Sequence, residues 1–208
     1  MLVDLIFKGG PVMIPIILLS VVALALILDR FLALWKIRLN IPQFAGDVFA
    51  LLEKGELNKA LQWCETVRHP IGSVFKTGIL NRTLKWEQIE KIMEREGEKQ
   101  IHALERNLGG LIVIIGVEPM LGFLGTITGL IRAFMTWEQL GSNITVNTLA
   151  AGIYEAMITT AAGLIIAIPY YIAYHMIVSK IKGHAQEISS LGNELIDALA
   201  KLREEKAR

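Results

Sequence analysis

The chain holds a single cysteine, Cys64, in 208 residues. One thiol forms no internal disulfide and has no second cysteine for a thiolate metal site, so Cys64 reads as a reduced, packed side chain. Histidine is nearly as scarce: the four, at 69, 102, 175 and 184, are dispersed, and neither His-Glu-x-x-His nor Gly-x-Ser-x-Gly occurs. Nothing assembles a metal or acyl-transfer centre, no cofactor is implied, and a membrane enzyme is disfavoured. An excess of either charge is missing as well. Lys and Arg number 21 against 20 Asp and Glu, with no basic run interleaved with aromatics, which argues against nucleic-acid binding.

The absence that decides the class is local. From Leu149 to Val178 the only formally charged side chain is Glu155, and from Pro11 to Leu28 there is none. Leu108 to Met135 forms a third apolar block, and each block with its flanks reaches the roughly 20 residues needed to cross about 30 Å of hydrocarbon. The first is too long for a signal peptide, lacks a small-x-small cleavage pattern, and closes on Asp29-Arg30 with more apolar residues beyond, so it reads as a retained span. The expected fold is an all-α polytopic membrane protein with three spans extended into a cytoplasmic helical stalk. Its segments are an N-terminus (1–10), spans at 11–35, 108–135 and 149–178, a helical loop (36–107), an outer turn (136–148) and a C-terminal helix (179–208).

Charge placement orients these segments. Twelve Lys and Arg lie between Lys36 and Arg106 and six between Lys180 and Arg208, whereas 136–147 has none. Positive loops stay inside, so the loop and C-terminus are expected in the cytoplasm, with the N-terminus and outer turn outside. The second and third spans then form an antiparallel hairpin, with Trp137 in the outer turn Trp137–Asn143. Within the loop, Phe44–Leu52 and Leu57–Cys64 carry helical apolar spacing and predict a small hairpin. From Trp86 onward, Ile89, Met93, Gln100, Leu104 and Leu108 predict a stalk helix leading into the second span, on which the C-terminal stripe of Ile188, Leu195 and Leu199 is expected to pack, unless it packs on neighbouring subunits.

The spans also carry groups that hydrocarbon disfavours. A carboxylate at mid-bilayer costs roughly 2.5–3.5 kcal/mol on insertion scales, so Glu155 is expected to face a bundle interior or wet cavity. Gly122, Gly125 and Gly129 share one helix face on which another backbone can approach, while Pro119 and Pro169 each remove a backbone hydrogen bond and are expected to kink their helices. Antiparallel pairing puts Thr126 and Thr160 at one depth, with Glu155 about 7.5 Å further out at 1.5 Å per residue. Two readings stand. The hydroxyls form a polar belt that guides a cation or water, or they, with Thr128 and Thr159, bond carbonyls one turn back. Arg132 lies near the level of Glu155, so an internal salt bridge competes with ion conduction, and Arg132 could instead snorkel. Glu118, before the kink, reads as a proton relay or as water-exposed.

These residues resemble the MotA/TolQ/ExbB proton channel family, most closely its ExbB branch. The resemblance rests on Lys8–Ser20 and Asp29-Arg30 in the first span, Pro119–Gly129 in the second, and Glu155–Gly163 with Pro169 in the third. It implies a bacterial inner-membrane homo-pentamer whose second and third helices ring a pore around a dimer of a single-span ExbD-like or TolR-like partner, whose aspartate carries the proton, and which energises a TonB-like protein. It places Thr126, Thr160 and Glu155 on the pore. Glu118 departs from the pattern, standing where a small residue is usual, and Arg132 where a neutral or polar one is. Envelope maintenance of the TolQ type is the implied alternative; a purely structural membrane scaffold is the reading outside the resemblance.

Overall fold

The computed structural model describes residues 6–141 and 145–207, without the side chains of 148 and 204–207. Ser142 and Asn143 of the expected outer turn and residues 1–5 of the expected N-terminal segment lie outside the described residues. Seven long helices follow in order: α1 (Met13–Lys36), α2 (Ile41–Glu53), α3 (Leu57–Thr66), α4 (Pro70–Leu80), α5 (Trp86–Glu105), α6 (Leu108–Leu140) and α7 (Val146–Ala207). No strand occurs among the described residues. The protein is all-α, and three of its helices are long and apolar enough to cross a membrane.

The helices fall into two compact units, residues 1–29 with 107–176 and residues 30–106 with 177–208. The first is built from the apolar stretches. On α1, Met13, Ile16, Ala23 and Ile27 recur at helical spacing and are buried, while Leu18, Val21 and Leu28 on the other faces are exposed. Exposed apolar side chains in this number suit a lipid or protein environment rather than water. α6 and α7 continue through Pro119 and Pro169 without a break in the helix.

The second unit is a helical bundle with its own core, in which Phe75 and Ile79 of α4 pack with Val48 and Leu52 of α2, Ile89 of α5 and Leu195 of α7. The hairpin predicted at 44–64 is present as α2 and α3. Asn40 caps α2 by accepting from the Gln43 N–H, and Gly55 turns the chain with φ +75°. Helix α4 is not foreseen by the sequence reading, although Pro70 at its first turn and the spacing of Ile71, Val74, Phe75 and Ile79 announce it. The C-terminal stripe packs within this bundle, and Arg203 fastens its end by donating to the Leu84 carbonyl and lying over the Trp86 ring.

Two expectations are corrected. The stalk helix does not run into the second span: it stops at Glu105, and Asn107 takes a left-handed φ of 67° before α6 starts. Asparagine tolerates that conformation better than most side chains, and the apolar stripe concealed it by crossing the break. The stripe's buried members are accordingly Ile89, Met93 and Gly97, with Leu108 in the next helix. Trp137 sits inside α6, which extends to Leu140, so the connection is shorter than 136–148. Arg30 is buried, and its Nη1 donates to the Ala103 and Leu104 carbonyls at 3.2 and 3.3 Å. A cation on the last carbonyls of α5 opposes the negative end of that helix.

Cys64 is buried and its thiol is pushed up to about 12, chiefly by that burial, which leaves it protonated and inert. His69 caps α4: its Nδ1 accepts from the Ile71 N–H at 3.1 Å, and its Nε2 lies 3.2 Å from His184 Nδ1. With Nδ1 accepting, the ring proton belongs on Nε2. Burial first and the His184 charge second hold His69 down at about 4. Since the unfolded imidazole titrates near 6.5, the native state binds fewer protons between those values and loses stability as pH falls through them. Thermal unfolding of the full chain in detergent should therefore show a wild-type loss between about pH 6.5 and 4 that is smaller in His69→Ala, with a cap cost of about 1 kcal/mol at neutral pH. Parallel pH curves would contradict this role.

Candidate functional site

The site is built on the crossing of α6 and α7. At Gly122 an added Cβ would lie 3.0 Å from the Thr159 carbonyl oxygen, and at Gly129 it would lie 2.8 Å from both the Ala156 nitrogen and the Gly152 oxygen. At Gly125 it would strike the Thr159 side chain. At Gly163 on α7 it would come within 2.7 Å of the Glu118 carbonyl. Gly122, Gly129 and Gly163 thus let backbone meet backbone, and Gly125 makes room for the Thr159 side chain, as small-residue seams do where no hydrophobic force drives helices together. Gly152, which the sequence reading passes over, completes the seam opposite Ala133 and Gly129. Pro119 is half-buried on α6 and Pro169 is exposed on α7.

Close approach brings the hydroxyls together. Thr160 donates across the crossing to the Gly122 carbonyl at 3.0 Å and makes a short contact with the Thr126 hydroxyl, which also reaches the same carbonyl at 3.3 Å. Both threonines remain half-buried. Thr126 thus also follows the local reading, and Thr128 and Thr159 follow it alone, bonding Gly125 O at 3.1 Å and, for the fully buried Thr159, Glu155 O and Ala156 O at 3.0 Å. The two hydroxyls expected at one depth, Thr126 and Thr160, therefore meet.

Glu155 is buried, and its Oε2 accepts from Arg132 Nη1 at 2.7 Å, while the Arg132 side chain is 55% exposed. The internal ion pair weighed against conduction is therefore formed within one protomer. The second oxygen of Glu155, Oε1, is buried without a hydrogen-bond partner among the described residues. What covers it is the turn before α1: Gly10 has φ +67°, and a Cβ there would collide with the Glu155 carboxylate. Only glycine suits both the conformation and the space. Glu118 is fully buried, with neither carboxylate oxygen partnered among the described residues, so the water-exposed reading does not hold. Among the described residues no group of three or more His, Cys, Asp or Glu could hold a metal ion.

A glycine seam, a hydroxyl pair and two buried acids inside apolar helices find their counterpart in known proteins. A profile of the MotA/TolQ/ExbB proton channel family matches residues 66–190. A Synechocystis protein named ExbB-like 1 is 34% identical over 198 residues, covering 93% of this chain and 77% of its own length. The chain belongs to the MotA/TolQ/ExbB proton channel family. The biopolymer transport protein exbB1 of Vibrio cholerae is 30% identical over 164 residues, 74% of this chain and 69% of its own. The Tol-Pal system protein TolQ of Haemophilus influenzae is 32% identical over 101 residues, 49% of this chain and 44% of its own.

Membership of the MotA/TolQ/ExbB family, with three apolar helices, makes this a multi-pass membrane protein, in a family of channels and transport subunits rather than known enzymes. The matched residues span the whole crossing from Glu118 to Pro169, so the polar groups described above lie inside the shared region. Because backbone atoms flank Gly129 on both sides, Gly129→Ala should cost about 1–3 kcal/mol through helix displacement. Gly46→Ala, in open space within α2, should instead stabilise by about 0.5–1 kcal/mol. Unfolding in detergent measures both, and equal effects would contradict the seam.

Proposed function

We propose that the chain is the channel-forming subunit of an ExbB-type motor in the bacterial inner membrane, with its N-terminus in the periplasm and its C-terminus in the cytoplasm. Five copies place α6 and α7 around a pore that encloses a dimer of a single-span, ExbD-like partner. The complex uses the proton gradient to energise transport across the outer membrane through a TonB-like protein. The observation that carries this reading is the hydroxyl pair: Thr126 and Thr160 meet at the helix crossing, yet stay half-buried, in spans whose other exposed side chains are largely apolar. Hydroxyls so placed can hydrogen-bond an acid presented by a partner helix and hydrate it in either protonation state.

The energetics suit the task. One proton charge falling through 100 mV gains about 2.3 kcal/mol, enough to bias the partner between two arrangements if its acid is alternately charged and neutral against the hydroxyls. Glu155 serves as the periplasmic mouth. Its pairing with Arg132 neutralises both charges at the outer end of the hairpin, and the unpartnered Oε1 is the position from which a proton is exchanged when the turn at Gly10 moves aside. An ExbB-type role is preferred over a TolQ-type one because the ExbB-named relatives from Synechocystis and Vibrio match over most of this chain and the TolQ relative over 49% of it.

Thr160→Val keeps the side-chain volume and removes the hydroxyl. In proteoliposomes holding the protein with its partner, it should lower proton flux by about ten-fold or more, since a buried group left without its hydrogen bond costs about 1–3 kcal/mol. Assembly size should be unchanged and Thr160→Ser should restore flux. Full flux through the valine variant would reject the assignment.

A further inference from the structure

Two acids lie within the spans, and they meet opposite conditions. Glu155 has Arg132; among the described residues Glu118 has no cation and no hydrogen-bond donor at either oxygen, and its side chain is completely covered. An ionised carboxylate alone in a medium of low dielectric neutralises by taking up a proton rather than bearing the solvation cost. The resulting carboxyl still lacks an acceptor for its O–H, so it is an incomplete polar site rather than a satisfied structural one. Intramembrane acids in that condition are functional by default.

The surroundings supply what such a site needs. Glu118 lies on the seam face of α6, one turn from Gly122 and two from Thr126, or about 12 Å along the axis at 1.5 Å per residue. Pro119 follows it and has no N–H, which frees the Ile115 carbonyl one turn back as an acceptor. On α7, Gly163 lets that helix approach the Glu118 carbonyl, which a Cβ there would meet at 2.7 Å. Tyr170 of α7 is a titratable group in electrostatic reach of Glu118, and its hydroxyl donates to the Ser20 carbonyl of α1 at 3.1 Å. α1 itself brings no ionisable side chain between Met13 and Leu28. Arg132 and Glu155 lie beyond the hydroxyl pair.

We infer that Glu118 is a second proton-binding site, a station on the cytoplasmic side of the Thr126–Thr160 pair. A hydronium ion or the partner's protonated acid held at the hydroxyl layer breaks its O–H bond as a Glu118 carboxylate oxygen forms one, leaving water or the partner's carboxylate behind. The Glu118 O–H bond then breaks to a cytoplasmic water, which leaves as hydronium, and the carboxylate is regenerated. This rests on the channel reading above, and the site is additional to the hydroxyl pair and to Glu155.

Infrared spectra of the full chain in lipid nanodiscs at neutral pH read the protonation directly. The wild type should show a protonated-carboxyl band that is absent from Glu118→Gln and shifted in Glu118→Asp. A wild-type spectrum without that band, or a band that both variants retain unshifted, overturns the site; should the glutamine variant not assemble, the shift in Glu118→Asp decides. Proton flux into proteoliposomes containing the protein and its partner, followed with a pH-sensitive dye, reads the role. Glu118→Gln should slow flux about a hundred-fold, the lower end of what a positioned acid–base group contributes, with partial recovery in Glu118→Asp. Normal flux in Glu118→Gln beside lost flux in Thr160→Val overturns the station and leaves the channel reading standing. Lost flux in Glu118→Gln beside normal flux in Thr160→Val supports the station and moves the route off the hydroxyl pair. A wild type that carries no protons overturns both.

Discussion

The backbone contact between α6 and α7 is the constraint on which the rest of the site depends. Gly122, Gly125 and Gly129 on one helix and Gly152 and Gly163 on the other remove the side chains that would hold the helices apart. Only at that separation can the Thr160 hydroxyl donate to a carbonyl of the neighbouring helix, and only there is Glu118 wholly covered. In lipid, where burying apolar surface against another helix gains little, contact of this kind supplies much of the association. The polar groups are thus consequences of the glycine seam as well as passengers on it.

The same crossing treats two carboxylates differently. Toward the turn of the hairpin, Arg132 reaches Glu155 and the charges compensate, with the Gly10 turn closing over the remaining oxygen. Fourteen positions before Arg132 on α6, Glu118 is closed in without compensation. Between them the threonines offer groups that donate and accept equally well, which lets a proton-bearing acid or a water be accommodated in either state.

Much of this hairpin was legible in the sequence because an antiparallel pair joined by a short turn fixes depth by counting. That is why Thr126 was matched to Thr160, and Arg132 to Glu155, without coordinates. Contacts between segments with no such count were hidden. Gly10 meets Glu155 across most of the chain, and His69 meets His184 across 115 positions, through folding that no local pattern encodes. Helix α4 was missed because it is short and two hairpin helices already accounted for the loop's apolar spacing. The break at Asn107 was missed because periodicity continued on either side of it. The burial of Glu118 was hidden for another reason: sequence tells that an acid lies near a glycine face, not whether a neighbour closes over it.

The central claim is that the hydroxyl pair looks into a hydrated cavity on the axis of an assembly, and a cryo-electron microscopy map of the full chain with its single-span partner in nanodiscs tests it most directly. The account predicts Thr126 and Thr160 of each copy facing the enclosed partner helix, with ordered water between them and its acid. A map that turns those hydroxyls toward lipid, away from any enclosed helix, would contradict it.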